Sequence, residues 1–170
     1  MIALKEHALA QRVGVFVDVQ NMYYSARNLF SKKVSFGNIL KDAVADRQLV
    51  RAIAYVIKAE AEQEASFFGA LSKIGFEVRM KELQTFYGGA KKGDWDIGIA
   101  MDMMRVAPKL DVAVLVSGDG DFVDLLQHMK ALGCRTEVMA FGETSSKKLV
   151  EEAHTFTDLG KSQTKYLMGK

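Results

Sequence analysis

Two short apolar runs in this chain end in acid. Residues 13–17 (V-G-V-F-V) lead into Asp18, and residues 112–116 (V-A-V-L-V) lead into Ser117-Gly118-Asp119-Gly120-Asp121-Phe122. A third acidic element, residues 91–102 (K-K-G-D-W-D-I-G-I-A-M-D), precedes the second run. If the two runs are neighbouring strands, Asp18, Asp119 and Asp121 converge on one sheet edge. Gathered carboxylates repel one another and lose hydration, so either a hard divalent cation or a proton on one acid must compensate. Mg²⁺ and Mn²⁺ take oxygen ligands and keep waters that a substrate can replace. Such an ion holds a phosphate and activates water, which is the chemistry of phosphoester hydrolysis.

Each of these residues also has a plain structural role open to it. An Asp after a strand can serve a turn or cap, and Asp121 stands at a helix start, where a carboxylate caps free N–H groups. Gly118 and Gly120 would let the backbone turn sharply out of the sheet. Asp96 and Asp102 lie about 240° apart around a helix at about 100° per residue, so they do not share a face. Asp96 is the one expected at the cation, because a helix N-terminus can point over a sheet edge; Asp102 would support it. Lys91 and Lys92 suit an approaching phosphate backbone or a solvated loop. Asn21 orients Asp18 or merely begins its helix, and Ser117 is a phosphate contact or a turn hydroxyl. Tyr23, Tyr24, Phe86, Tyr87 and Trp95 could stack on the bases of such a strand or pack at the rim.

The elements that must position these groups follow from hydrophobic periodicity. Strands are predicted over 13–17, 49–57, 76–80, 111–116, 135–140 and 155–159. Helices are predicted over 21–31, after a Ser35 cap with Phe36, Ile39, Leu40 and Ala43 inward, and over 60–74, 94–105, 121–132 and 145–153. Gly75 and Gly133 stop two of them. A polar glycine-bearing stretch spans 88–93. Strands separated by helices imply an α/β fold with a mainly parallel sheet and helices on both faces. Ligands of such sheets sit beyond the carboxyl ends of the strands, where strand order reverses.

Composition narrows the function. The 170 residues are 49% hydrophobic and 26% charged, which suits one globular domain over 1–170. Lys+Arg at 23 against Asp+Glu at 21 gives +2, so charge alone does not announce a polyanion partner. One cysteine, Cys134, and three scattered histidines, His7, His128 and His154, exclude a disulfide framework and argue against zinc. Cys134 is expected to be a buried small hydrophobe. No apolar run approaches the roughly 18 residues of a membrane span, and the first dozen residues lack a signal-peptide core. A cytoplasmic protein is the expectation, with flexible ends at 1–12 and 161–170. Exposed apolar residues on outer helices could support a homodimer.

Three blocks together resemble the NYN domain, a PIN-like nuclease group that includes LabA-type bacterial proteins. They are F-V-D-V-Q-N at 16–21, K-G-D-W-D-I-G-I-A-M-D at 92–102 and V-L-V-S-G-D-G-D-F at 114–122. The resemblance covers about 13–159. It implies a three-layer α/β/α fold of PIN-like, Rossmann-like type and a ribonuclease that depends on Mg²⁺ or Mn²⁺. It places Asp18, Asp96, Asp119 and Asp121 as catalytic and metal-binding residues, with Asn21, Ser117 and Asp102 supporting. Asp94-Trp95 departs from the apolar residue the family often has there.

Two rival functions fit parts of the pattern. V-F-V-D and G-D-G-D-F-V-D loosely resemble haloacid-dehalogenase-type phosphatases, but that chemistry wants an acid two residues after the nucleophile, where Gln20 stands. The same fold could instead bind RNA or a protein without catalysis, which the modest net charge would suit.

Overall fold

The computed structural model describes residues 10–58, 61–82, 84–85 and 91–169; for 61–65, 84–85 and 91–92 it describes the backbone. In chain order the elements are β1 (Arg12–Asp18), α1 (Val19–Phe30), β2 (Lys33–Val34), α2 (Phe36–Val44), β3 (Gln48–Lys58), α3 (Ala61–Ile74), β4 (Glu77–Glu82), β5 (Gln84–Thr85), β6 (Lys91–Lys92), α4 (Asp96–Val106), β7 (Val112–Val116), α5 (Val123–Ala131), β8 (Arg135–Ala140), α6 (Lys147–Glu152), β9 (Thr155–Asp158), α7 (Gln163–Tyr166) and β10 (Leu167–Met168). A 3₁₀ turn, Gly120–Phe122, precedes α5.

The main sheet has six strands in the order β4-β3-β1-β7-β8-β9, and every pair is parallel. Alternation explains why β1 and β7 carry no polar pattern. Val13, Val15 and Val17 face one core with Val112, Val114 and Val116, while Phe16, Ala113 and Leu115 face the other. Helices α1, α2 and α3 cover the first face; α4, α5 and α6 cover the second. This is the three-layer α/β/α arrangement. No described helix is long and apolar enough to cross a membrane.

Local signals behaved as their chemistry requires. The Ser35 hydroxyl caps α2, and Phe36, Ile39, Leu40 and Ala43 are its buried stripe. Gly75 and Gly133 carry φ of 122° and 89°, a conformation that ends helices and favours glycine. Cys134 is buried, as expected.

The C-terminal segment departs from the flexible end expected at 161–170. It folds as α7 and β10, and β10 pairs antiparallel with β2, Leu167 opposite Val34. The Ser35 N–H donates to the Tyr166 carbonyl at 2.7 Å, and Asn38 Nδ2 donates to the Lys165 carbonyl at 2.6 Å. The Tyr166 hydroxyl and Lys165 Nζ both reach the Asp42 carboxylate, at 2.5 and 2.6 Å. Buried Tyr166 and Leu167 give this polar seam an apolar backing that a net-charge reading of the tail does not reveal.

Candidate metal centre

Strand order reverses between β1 and β7, and the site lies beyond their carboxyl ends. Asp18 ends β1 and is 8% exposed. Its carboxylate caps α1 by accepting the Asn21 N–H at 3.2 Å, and it also accepts the Ser117 hydroxyl at 3.2 Å. Asn21 returns the link, its side-chain Oδ1 accepting the Gly118 N–H at 3.1 Å. Ser117 Oγ in turn accepts the Asp119 N–H at 3.2 Å. The loops after β1 and β7 are thus laced together by the two residues expected to support the acids.

Within the S-G-D-G-D-F block the capping carboxylate is Asp119, not Asp121. Asp119 Oδ1 accepts the Asp121 N–H at 2.9 Å, which leaves the Asp121 side chain exposed. The glycines serve close approach rather than an unusual turn. Neither Gly118 nor Gly120 has positive φ. A Cβ at Gly118 would lie 2.5 Å from Ser145 Oγ, and one at Gly120 would lie 2.9 Å from Ser146 Oγ. The acidic loop is pressed against the segment after β8.

Asp96 is delivered from the other side by the start of α4. Trp95 anchors that start: its indole N–H donates to the Val56 carbonyl near the end of β3 at 2.9 Å, and its ring packs 5.4 Å from that of Tyr55. Lys81 Nζ lies 5.0 Å from the Trp95 ring and donates to the Asp94 carbonyl at 3.1 Å. The Asp94 side chain then accepts the Asp96 N–H at 3.2 Å. Trp95 is therefore a structural wedge and not a free stacking platform.

Carboxylate oxygens of Asp96, Asp119 and Asp121 lie within 4.8 Å of one another. Asp18 is not in that trio, but it lines, with Asp94, Asp96 and Asp119, a cleft of about 360 Å³. Burial pushes the Asp96 carboxyl up to about 7, helped by the charges of Asp119, Asp94 and Asp18. Burial also pushes Asp18 up to about 6 against the opposing hydrogen bonds from Asn21 and Ser117. An all-oxygen donor set that includes two acids reluctant to ionise, Asp18 and Asp96, fits a hard divalent cation.

Asp102 belongs to a different structure. It is 3% exposed, accepts the Tyr55 hydroxyl at 2.8 Å and pairs with Arg79 at 3.0 Å. The helical offset that separated it from Asp96 carries it into the core under α4, so it does not support the acidic cluster directly. The side chains of Lys91 and Lys92 lie outside the described residues, as do Phe86 and Tyr87.

The cleft also contains Gln20, weighed in the sequence only against a phosphatase, and three groups the sequence reading passed over: Ser25, Asn28 and Thr144. Asn21, Tyr24, Ser25 and Asn28 follow i, i+3, i+4, i+7 spacing, so a polar helical stripe starting at Asn21 was the available signal. Thr144 had none; it arrives from the loop after β8 and donates to Ser25 Oγ at 3.0 Å. Tyr24 is 51% exposed in the cleft wall, with Tyr23 packed edge-on at 5.5 Å.

Fold and site together define a doubly wound α/β domain with an acidic centre at its strand-order reversal. The chain belongs to the NYN domain family, whose model matches residues 12–160. It is 25% identical over 157 residues to the low amplitude and bright protein LabA of Synechococcus elongatus, covering 87% of this chain and 83% of that protein. The crystal structure of a protein of unknown function from Vibrio parahaemolyticus superposes with a TM-score of 0.86 at 30% identity, covering 94% of this chain and 97% of the other.

Proposed function

We propose that this protein is a metal-dependent ribonuclease that hydrolyses phosphodiester bonds of single-stranded RNA. The observation that carries the reading is the convergence of Asp96, Asp119 and Asp121 oxygens within 4.8 Å at the sheet's reversal point. Membership of the NYN family, which the sequence motifs relate to PIN-like nucleases, supports it.

Asp96, Asp119 and Asp121 would hold Mg²⁺ or Mn²⁺, with Asp18 beside them. The cation supplies Lewis-acid stabilisation of charge at the phosphoryl oxygens and a more acidic water. Asp18, held by Ser117 and Asn21, takes the proton of the attacking water; a carboxylate titrating at about 6 is matched to that task near neutral pH. Among the described residues lining the cleft there is no lysine or arginine. Recognition therefore falls to Asn21, Asn28 and the Tyr24 ring, with Lys91 and Lys92 assigned to the strand's phosphates.

The test is cleavage of labelled single-stranded and structured RNAs with Mg²⁺ or Mn²⁺, beside EDTA and Asp119→Asn controls. Asn keeps an oxygen to cap the Asp121 N–H, so that variant should fold. Cation-dependent cleavage lost in Asp119→Asn is the expected result. No cleavage of any RNA by protein shown calorimetrically to bind the cation would overturn the reading in favour of a binding module.

A further inference from the structure

Helix α4 carries two apolar stripes. Ile99, Met103 and Val106 face the core. Ile97, Ala100 and Met104, at i, i+3 and i+7, form a second stripe, of which Ala100 packs on the core's edge while Ile97 and Met104 face outward. Ile97 is 76% exposed and Met104 38%. This stripe walls a groove of about 430 Å³ against Leu125 of α5, and Asp96 and Asp121 stand in it as well. Two of the three clustered carboxylates thus line the apolar groove, and one of them, Asp96, lines the polar cleft as well.

We propose that this groove receives the nucleobase adjoining the scissile phosphate; the proposal rests on the ribonuclease reading and specifies its substrate. A strand whose phosphate lies at Asp96 and Asp121 must leave the cluster on both sides. One side is the hydrogen-bonding cleft with Tyr24, and the other is the groove that begins at Ile97, the residue after Asp96. A base is flat, uncharged and apolar on its faces, which matches the Ile97, Ala100 and Met104 wall. A further phosphate, beyond the clustered acids, would meet the Asp124 carboxylate there. The volume falls within the roughly 300–1,000 Å³ of small-molecule clefts. Asp124 offers acceptor oxygens and His128 a ring that donates or accepts, so the groove's polar side chains can meet the edge of any of the four bases, each of which carries at least one N–H donor.

Mononucleotides test this without cleavage. With Mg²⁺ and methyl-¹³C-methionine protein, adenosine, cytidine and guanosine 5′-monophosphates should shift the Met104 methyl signal, assigned with Met104→Leu. Uridine 5′-monophosphate should do the same, and ribose 5-phosphate should leave the signal unmoved. Ile97→Ala, at a 76% exposed position, should fold and weaken nucleotide binding roughly three- to tenfold while sparing ribose 5-phosphate. RNA cleavage with an unmoved Met104 and an unchanged Ile97→Ala would overturn the groove and leave the nuclease standing. A Met104 shift in a protein that cuts no RNA would retain the groove as a nucleotide site and overturn the nuclease. A dimer in sedimentation that Ile97→Glu dissociates, with no nucleotide effect, would assign the stripe to a second copy and overturn the proposal.

Discussion

The Ser117 hydroxyl donates to Asp18 Oδ2 at 3.2 Å across the junction of β1 and β7, joining residues 99 positions apart. That bond lowers the Asp18 pKa, against burial, which raises it. Ser117→Ala should therefore move Asp18 further above about 6 and cost about 1 kcal/mol of stability. The acid limb of cleavage should shift to higher pH. Carboxyl ¹³C titration of Asp18 is the check, and an unchanged midpoint would break the link.

Because burial raises Asp18 and Asp96, the folded chain holds their protons more tightly than the unfolded chain does. Stability of the cation-free protein should fall as pH rises from about 4 towards 7, and then level. Asp18→Asn should remove its share of that fall, on the order of 2–3 kcal/mol at most. Urea unfolding at pH 5 and pH 8 in EDTA measures it. Adding Mg²⁺ or Mn²⁺ at pH 8 should restabilise the wild type and not the variant lacking Asp96, Asp119 and Asp121 charges.

Asp102→Ala should destabilise by roughly 2–4 kcal/mol, since it strips the buried Tyr55 hydroxyl and the part-exposed Arg79 of their shared partner. Asp102→Asn keeps an acceptor for Tyr55 and should retain the wild-type cleavage rate. A selective loss of cleavage in folded Asp102→Asn would return Asp102 to the reaction.

Gly98→Ala sets helix propensity against packing. Alanine is better by about 1 kcal/mol in a helix interior. Its Cβ would, however, stand 2.5 Å from Trp95 Cε3. Packing should win, and the variant should be less stable. Trp95 is the chain's single tryptophan, so its fluorescence should report the displaced helix start.

RNA affinity should depend on the divalent cation, since no described residue lining the cleft is lysine or arginine, and the monovalent-salt slope should be shallow, on the order of the two phosphate contacts assigned to Lys91 and Lys92. Filter binding with Ca²⁺, Mg²⁺ or EDTA over a KCl series checks this. Strong binding in EDTA would place the contact elsewhere.

The sheet was legible because both faces of β1 and β7 are buried, so uninterrupted valines could only be inner strands. The acids were legible because each follows an apolar run or begins a helix. What the sequence concealed depends on neighbours far along the chain. Gly118 answers to Ser145, Thr144 answers to Ser25, and Asp102 answers to Tyr55 and Arg79. Spacing said that Asp96 and Asp102 part company, but not which carboxylate meets an arginine. The pairing of β10 with β2 was equally hidden, since two-residue strands carry no period to read.

That pairing has a consequence for how the molecule is made. Asn38 waits for a partner 127 residues later, and Ser35 for the carbonyl of Tyr166. Synthesis proceeds from the amino end, so α2 emerges from the ribosome long before the segment that fastens its first turn. The turn at Gln163–Tyr166 is a latch closed only after translation has passed it. Truncations or fusions at residues 165–168 should therefore lower the yield of folded protein, while molecules that do fold keep their acidic centre intact.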